Sequence, residues 1–462
     1  MLAMLSDLLW SKVLVVLLVG IGLYFTVASR FVQFRYFGRM FSVLASGLHH
    51  EKDHVSSFQA LVVSVAGRVG GGNIAGVAVA ISLGGPGAVF WMWAIGLMGM
   101  ATSFFECSLA QLYKSYEPDG SFRGGPAYYL TRGINQRGLA IVYSLLLLVT
   151  FGFGFNAVQS YVVATSLNDS FGVPTWMSGL GLVAFLGFVI FGGIKRIAAV
   201  AEIVVPVMAV SYFAAALLVI GLNITEVPAV FMQIVGGAFG LDSALGGGIG
   251  VAIMQGVKRG LFSNEAGLGS APNVAAVAYV PHPANQGIVQ AFSVFIDTLV
   301  MCSCTALIIL LSDVYVPGDA SVSGIALTQN ALAEHLGAWG GSFVSVALVL
   351  FAFSSIMYNY YLGENSLNYF SEENRKLFTV FRVLVLGLVF WGSAQDLGTV
   401  FGFADLTMGL LGVVNLVGLL WMSKLALRLL RDYDQQLSEG KQPRLHVDDY
   451  ADLDIDRRAW PD

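Results

Sequence analysis

Long apolar runs dominate the pattern of the chain and divide it into eleven segments. Each run reaches the roughly 17–25 residues that a helix needs to cross a bilayer. Membrane-spanning strands would instead alternate apolar and polar residues over about ten positions, and these runs lack that alternation. The pattern therefore predicts an all-α polytopic membrane protein with 11 transmembrane helices. The runs lie near residues 8–28, 57–81, 87–113, 138–167, 176–193, 197–222, 244–279, 286–312, 341–370, 376–392 and 398–429.

Three further segments have patterns of their own. The stretch RFVQFRYFGRMF at 30–41 mixes basic and aromatic residues, so it is predicted to lie on the membrane surface. Residues 320–337 are amphipathic and predict a helix in an external loop. Beyond about residue 430 the chain is charged and has few apolar residues, so we expect a solvated or disordered tail.

Composition supports the membrane assignment and argues against several functions. Of the 462 residues, 56% are hydrophobic and 11% are charged, whereas a soluble domain carries about 25% charged residues. No basic patch with interleaved aromatic residues indicates nucleic acid. The cysteines Cys107, Cys302 and Cys304 all lie in apolar runs, so we expect small buried side chains with no disulfide, metal or cofactor role.

Lysine and arginine predict the orientation, because cytoplasmic loops carry them in excess. The loops near 168–175, 223–243, 313–340 and 393–397 have none, whereas all but one of the alternate loops are basic. The N-terminus is therefore predicted outside and the C-terminus in the cytoplasm of a plasma-membrane protein. The basic residues are Arg30, Arg35, Arg39, Lys52, Lys114, Arg123, Arg132, Arg137, Lys195, Arg196, Arg375, Lys376, Lys424, Arg428 and Arg431.

A short motif occurs twice and indicates an internal repeat. GRVGGGNIAG at 67–76 and RGLFSNEAG at 259–267 both fit R-x-x-x-x-N-x-A-G, with an offset of 191 residues. The same offset aligns Glu106 with Asp297. With the first helix set aside, ten helices split into two sets of five, and a five-helix repeat inserts in inverted orientation. The predicted divisions are 1–56 (N-terminal helix and interfacial segment), 57–222 (first repeat), 244–429 (second repeat) and 430–462 (cytoplasmic tail).

The glycines of the two motifs predict helices that are broken in mid-membrane, namely the first and sixth core helices. An unwound stretch leaves backbone groups without partners, which costs several kcal/mol per group in lipid. A cation can bind the freed carbonyls and a carboxylate the freed amides, so a zwitterion with a small cation fits such a site. The alternative is that the glycines serve close helix packing. They are Gly70, Gly71 and Gly72 in the first half and Gly260, Gly267 and Gly269 in the second.

Two more polar groups interrupt apolar helices. Ser354 and Ser355 are adjacent hydroxyls that either bond back to a carbonyl one turn earlier or face a hard cation, which prefers oxygen ligands. Asn156 and Gln159 share a helix face because they are three residues apart. Buried amides of this kind either join helices or contact a substrate.

Charged residues inside the spans need partners. We expect Glu265 to lie near Arg68 or Arg259, as a gate or as a static brace. The six histidines lie outside the predicted spans and no catalytic pattern occurs, so an enzyme is not expected. The intramembrane charges are Arg68, Glu106, Glu202, Lys258, Arg259, Glu265, Asp297, Glu364 and Asp405.

Three stretches resemble the alanine or glycine:cation symporter family. They are GRVGGGNIAGVAVAISLGGPGAVFWMW from residue 67, RGGPAYYL at 123–130 and GVKRGLFSNEAGLGSAPNVA from residue 256. The resemblance covers essentially residues 57–429. It implies the five-plus-five inverted-repeat fold shared with the neurotransmitter:sodium symporters. It also implies sodium-driven uptake of a small neutral amino acid by alternating access, in what is expected to be a bacterial inner membrane.

The resemblance also implies where the ligands bind. One sodium ion, the coupling ion, would lie between the first and eighth core helices. Its ligands would be carbonyls near Ala66, Val69 and Phe351 and the hydroxyls of Ser354 and Ser355. The substrate would lie among Gly71, Gly72, Asn73, Gln159, Phe262, Ser263 and Asn264, with Asn156 and Asn359 as further candidates. Arg68, Arg259, Glu265, Glu106 and Asp297 are candidates for gating or ion pairing.

Two departures from the family bear on the substrate. Many relatives have Thr where this chain has Gly71, and many have Trp where Asn359 aligns. Alanine and glycine are the first expectation, and a larger polar amino acid such as glutamine is the second. A proton-coupled symporter with Glu106 or Asp297 as proton carrier and a non-transporting nutrient sensor stay open. A channel would need a continuous polar stripe, whereas the polar residues cluster at mid-depth.

Overall fold

The computed structural model describes residues 6, 8–46, 54–118, 120–240, 248–317, 324–371 and 374–460. The regular elements of this part of the chain are helices and one antiparallel hairpin of β1 (Ser115–Tyr116) and β2 (Phe122–Arg123). The helices are α1 (Leu9–Ala28), α2 (Val32–Arg35), α3 (Phe37–Ser46), α4 (Ser57–Arg68), α5 (Gly72–Gly84), α6 (Gly87–Leu112), α7 (Pro126–Arg132), α8 (Arg137–Phe171), α9 (Thr175–Ile190), α10 (Gly193–Leu222), α11 (Val227–Ala238), α12 (Ile249–Asn264), α13 (Ser270–Ala275), α14 (Pro283–Leu310), α15 (Ile325–Leu336), α16 (Ala338–Phe370), α17 (Arg375–Gly392), α18 (Leu397–Trp421) and α19 (Ser423–Ser438). Short 3₁₀ turns follow at Val447–Tyr450 and Arg457–Ala459.

The all-α membrane class is confirmed. Within the described residues, seven helices are long and apolar enough to cross a membrane: α1, α6, α8, α14, α16, α18 and residues Arg196–Leu222 of α10. The bent pair α4 and α5 adds an eighth span if it is counted as one. The count of eleven stays a prediction, because α9 and α12 are short and α17 begins with a basic turn.

Both expected helix breaks are present. The axes of α4 and α5 differ by 49° across the stretch between Arg68 and Gly72. The second break separates α12 from α13, where the backbone turns through left-handed conformations at Glu265, Gly267 and Gly269. A left-handed conformation is costly for a residue with a side chain, so Glu265 stays in it only because its surroundings fix it.

Two elements lie in segments expected to be irregular. Helix α11 lies within 223–243 and packs on α6, where the indole nitrogen of Trp91 donates to the Ala238 carbonyl at 3.3 Å. Its twelve residues are apolar but too few for a span, so hydropathy alone passed over it. The hairpin and α7 fill the connection between α6 and α8.

The other predicted segments agree with the structure where it describes them. Helix α15 covers most of 320–337 and packs on α16, while residues 320–323 lie outside the described residues, as do 244–247 of the predicted sixth core helix and Lys52 of the basic loop set. The segment 30–41 forms α2 and α3, and Phe31, Phe34 and Phe41 are largely exposed. Its position on the membrane surface stays a prediction.

The tail was expected to be solvated or disordered, and residues 430–460 are ordered although many of them are exposed. Helix α18 ends at Trp421, and α19 continues to Ser438. Beyond it, the Leu445 amide donates to the Pro281 carbonyl at 2.9 Å, and Trp460 is buried. The few apolar residues of the tail suffice to anchor it because its charged residues pair with the face on which it lies.

Candidate functional site

The break after α4 redirects backbone groups that a continuous helix would pair internally. The last carbonyls of a helix lack intrahelical donors. Here the amides of Gly70 and Gly71 donate instead to Asn73 Oδ1 at 2.8 Å and to Gln159 Oε1 at 2.9 Å. The carbonyls of Ala66 and Gly67 are therefore free to accept from another helix.

Two serine hydroxyls of α16 form hydrogen bonds with these carbonyls. Ser354 Oγ donates to the Ala66 carbonyl at 3.2 Å, and Ser355 Oγ contacts the carbonyls of Ala66 at 3.0 Å and Gly67 at 3.2 Å. Both hydroxyls also bond back to Phe351 O, at 2.8 and 3.0 Å. The bonds back to the same helix are thus present, and each hydroxyl also faces the break, where binding of a cation stays a prediction.

Four of the five predicted sodium ligands therefore lie together, namely Ala66, Phe351, Ser354 and Ser355. They supply two carbonyl and two hydroxyl oxygens, the ligand type that a hard cation prefers. The Val69 amide closes the last turn of α4 by donating to Val65 O at 2.7 Å. Among the described residues, no recorded hydrogen bond joins the Val69 carbonyl to the serines.

Glycine is required beside this group of oxygens. A Cβ on Gly70 would collide with Ser355 Oγ, and one on Gly71 would lie 2.9 Å from Gln159 Oε1. The absence of side chains thus lets α16 and α8 approach the break, which is why the three consecutive glycines occur there.

A buried carboxylate joins the two breaks. Asn73 Nδ2 donates to Asp297 Oδ1 at 2.7 Å, and Ser263 Oγ lies 2.9 and 3.0 Å from the two carboxylate oxygens. Thr298 adds a third donor at 2.7 Å, and Cys302 Sγ lies 3.1 Å from Ser263 Oγ. Thr298 and this polar contact of Cys302 were not identified from the sequence. Several hydroxyls and thiols occur in the same apolar run, and no local pattern shows which of them meets a carboxylate.

Three of the predicted substrate-binding amides carry buried polar atoms that have no hydrogen-bond partner among the described residues. They are Asn264 Nδ2, Asn156 Oδ1 and both amide atoms of Asn359. Asn156 Nδ2 bonds to Gly152 O of its own helix, and Asn264 Oδ1 accepts from the Ala266 amide. An unpaired buried polar atom costs about 1–3 kcal/mol, which a ligand with polar groups would relieve.

Aromatic rings form the apolar side of the same region. The Phe262 ring packs 4.7 Å from Phe155 and 5.4 Å from Phe401, centroid to centroid. The backbone of Gly72 lies against the Phe262 ring, because a Cβ there would fall 2.9 Å from the ring edge. Rings and amides together make a surface suited to a small amphipathic molecule.

The second break is held by Glu106 of α6. Its two carboxylate oxygens accept from the amides of Gly267 and Gly269, each at 3.2 Å, and from Asn415 Nδ2 at 3.0 Å. Tyr129 donates to Asn415 Oδ1 at 2.5 Å. All three groups on Glu106 are N–H donors, which suits an ionised carboxylate. Asn415 and Tyr129 were missed, because they lie far from the motif in sequence.

Glu265 lies close enough to Arg68 for the two charges to interact, but its hydrogen bonds come from other groups. Within the described residues it forms no ion pair with either arginine, and instead accepts from Ser270 Oγ at 2.6 Å and from the Tyr358 hydroxyl at 3.1 Å. The left-handed turn at Glu265 directs its carboxylate toward α13 and α16. Arg68 donates to Gln290 O at 3.0 Å, and to Ser103 and Ser293.

Arg259 pairs with a carboxylate of α18. Its guanidinium lies 2.5 Å from Asp405 Oδ2, and Lys258 Nζ lies 3.6 Å from the same oxygen. Arg259 also covers the rings of Phe262 and Phe401, at 5.7 and 5.0 Å. A cavity of about 720 Å³ adjoins this ion pair.

Comparisons with known proteins agree with this geometry. A family model described as the sodium:alanine symporter family matches residues 1–447. The chain is 48% identical to a Bacillus subtilis protein named "Probable sodium/glutamine symporter GlnT", over 96% of this chain and 92% of that protein. It is 39% identical to the "Sodium/proton-dependent alanine carrier protein" of Bacillus sp. (strain PS3), over 86% of this chain and 92% of that protein.

A solved structure supports the fold alone. The crystal structure of the Eremococcus coleocola manganese transporter matches with a TM-score of 0.50 at 14% identity, over 84% of this chain and 81% of that chain. The resemblance inferred from the broken-helix motifs is therefore confirmed, and the relatives named above are transporters rather than enzymes. The chain belongs to the sodium:alanine symporter family.

Proposed function

We propose that this protein is a sodium-coupled symporter that imports a small neutral amino acid, alanine or glycine, by alternating access. One observation carries the proposal. The hydroxyls of Ser354 and Ser355 meet the freed carbonyl of Ala66 at the first break, directly beside the Gly70–Gly71 amides. A cation site and an amino-acid site would thus share one stretch of unwound backbone.

In this proposal sodium replaces the serine hydrogens as the partner of the carbonyls. The carbonyls of Ala66 and Phe351 and the two serine oxygens would bind the ion and draw α16 onto α4. Val69 would join them by turning its carbonyl inward. Because the ion fixes the backbone that the substrate also contacts, each ligand would strengthen binding of the other.

The substrate would lie where the two breaks meet. The amides of Gly71 and Gly72 and the Asn73 and Asn264 side chains would contact its carboxylate and amine. Gln159 and Ser263 would orient it, while Phe262 would cover its side chain. Asn156 and Asn359 would supply further polar contacts.

Two groups would close the pathway on either side of the site. The Arg259–Asp405 pair covers the Phe262 and Phe401 rings. Glu265 joins the second break to α16 through Tyr358. Opening would require one of these contacts to separate while the other holds.

The proposal is tested by radiolabelled alanine uptake into proteoliposomes, with and without an inward sodium gradient. We expect accumulation that is driven by sodium, lost in choline and blocked by unlabelled glycine. Absence of sodium-dependent flux of any neutral amino acid would overturn the proposal. Block by glutamine instead of glycine would keep sodium coupling and change the substrate.

Glutamine is a second candidate substrate. A relative 48% identical carries that substrate in its name. Both amide atoms of Asn359 are buried and have no partner in the described part of the chain, and the side-chain amide of glutamine would pair with them.

Proton coupling is the other alternative, since a relative is named as sodium/proton-dependent. The three N–H donors around Glu106 and the O–H and N–H donors around Asp297 favour permanent carboxylates over proton carriers. Uptake that follows a pH gradient after sodium is removed would decide for protons.

A further inference from the structure

The C-terminal segment, residues 441–460, buries apolar side chains against the face predicted to be cytoplasmic. Leu445, Tyr450 and Trp460 are only 8%, 2% and 5% exposed. Arg428 of α19 braces the segment through Asp452, at 2.8 Å, and stacks over the Tyr450 ring. The segment is therefore a folded part of the molecule.

The tip of this segment closes over a buried lysine. Lys114, at the end of α6, is fully buried, and its Nζ lies 4.1 Å from the Trp460 ring and 4.2 Å from the Phe122 ring. Its recorded hydrogen bond goes to Ala278 O, at 3.4 Å. Burial lowers the pKa of Lys114 to about 7, and the two ring faces offset the cost of its charge.

The segment also holds the connection after the second broken helix. The Leu445 amide donates to Pro281 O at 2.9 Å, between α13 and α14. At the other end, Asp456 Oδ2 accepts from the Tyr116 amide of the hairpin at 3.0 Å. The C-terminal segment thus contacts three separate parts of this face: the end of α6, the hairpin and the α13–α14 connection.

The start of the first broken helix is fastened to the same parts. The His54 ring stacks on Phe122 and on Tyr279, at 5.2 and 5.1 Å. The Tyr279 amide donates to Val55 O at 3.0 Å, two residues before α4 begins. Separating the ends of the two broken helices would therefore disturb Phe122, whose ring contacts Lys114 as the ring of Trp460 does.

A cavity of about 620 Å³ lies beneath the near end of the segment, between residues 440–443, Arg39 of α3 and the 279–281 connection. Contact there is incomplete, so fewer packed atoms need to separate for the segment to lift. Beyond the cavity the segment is held at Leu445, at Trp460 and in its middle, where the Tyr450 hydroxyl donates to Asp432 at 3.1 Å.

We propose that residues 441–460 form a latch, which must separate from Lys114 and Phe122 before the site opens to the cytoplasm. The latch therefore limits the transport rate. The proposal rests on the alternating-access function above. It does not require a further ligand, because the restraint is built from this chain alone.

Hydrogen–deuterium exchange of the full-length protein tests the docking without any transport assay. We expect Trp460→Ala, and truncation after Gly440, to speed exchange at residues 278–281 at least about tenfold. Trp460→Ala should also speed exchange at Leu445. Lys114→Met, which keeps an apolar stem and removes the ammonium, should speed exchange at 457–460. Asp448→Asn is the matched control, because it breaks only a largely exposed ion pair with Arg457 at 3.2 Å. Such an exposed pair contributes little to stability, so these rates should change far less than in the other variants.

Uptake then tests regulation. Sodium-driven uptake should run several-fold faster in Trp460→Ala and in the truncated chain, with an unchanged sodium requirement. Unaltered exchange in the truncated chain, or equal acceleration in Asp448→Asn, would overturn the docking. Altered exchange with an unaltered uptake rate would overturn the rate-limiting role. Absence of uptake in the wild type would instead reject the proposed function while exchange still reports on the segment.

Discussion

Ser354 and Ser355 carry the proposed sodium site, and their hydroxyls can be removed without changing the backbone of α16. Replacing both with alanine deletes two of the four oxygens that lie together. Each lost contact is worth about 1–3 kcal/mol, so we expect the sodium concentration for half-maximal uptake to rise at least about tenfold. Uptake measured against sodium concentration gives the result, and thermal unfolding should show a shift of only a few degrees.

Ser144→Ala is the matched control for the serine pair. Its hydroxyl is equally buried but has no partner among the described residues. It should leave the sodium requirement unchanged. A double Ser354→Ala, Ser355→Ala protein that folds and keeps wild-type sodium dependence would remove the sodium assignment.

Asn359 tests pocket size. Tryptophan there would replace a small amide with a bulky ring, so Asn359→Trp should favour glycine and alanine over glutamine by about tenfold or more, in line with about 1–3 kcal/mol for a pocket change. The ratio of uptake rates for the competing amino acids measures this. Asn359→Ala, which cannot overpack the site, should show no such preference. An unaltered ratio in a folded tryptophan variant would place Asn359 outside the pocket.

Residues near a motif could be assigned from the sequence, and residues far from one could not. Ser354 and Ser355 stand out as adjacent hydroxyls in an apolar helix, and the structure brings them to Ala66 as the resemblance implied. Asn415 reaches Glu106 from more than 300 positions away. No local pattern distinguishes such a residue from one that merely joins two helices.

At the scale of elements, Glu106 fixes the shape of the second break. Glutamine would place an amide donor opposite one of three N–H groups. A charge-assisted hydrogen bond is worth about 1.5–3 kcal/mol, so we expect Glu106→Gln to lower sodium-driven uptake about 10- to 100-fold. The measurement is uptake at several external pH values, because loss of a brace lowers the rate equally at each.

Two further variants separate a brace from a proton carrier. Glu226→Gln changes an exposed carboxylate outside the spans and should transport normally. Glu106→Asp keeps the charge and should retain more activity than glutamine. A Glu106→Gln protein that loses only pH-driven uptake, while sodium-driven uptake persists, would identify Glu106 as the proton carrier.

The existence of the breaks was predictable, whereas their geometry was not. Three glycines and a polar motif are unfavourable within an apolar helix, so the interruption follows from composition. The 49° bend and the left-handed turn at Glu265 arise from contacts with α6, α8 and α16, which are set by tertiary packing. The same packing explains why Glu265 accepts a hydrogen bond from Tyr358 rather than from an arginine.

At the scale of the whole molecule, hydropathy predicted the class and most helix positions because burial in lipid imposes the same demand on every span. It failed for the tail and for α11, where a few apolar residues are buried against protein rather than lipid. Trp460 and Leu445 show how little apolar surface suffices when paired charges hold the rest of the strip in place.

The two halves of the chain exchange carboxylates. Glu106, from the first half, holds the amides of the second break, and Asp297, from the second half, holds Asn73 of the first. Neither break can rearrange without disturbing a group supplied by the other half. In a transporter whose two breaks rearranged independently, sodium could cross without the substrate and would dissipate the gradient that drives uptake. This reciprocal anchoring links the two breaks mechanically, so that leakage would require both anchors to fail together.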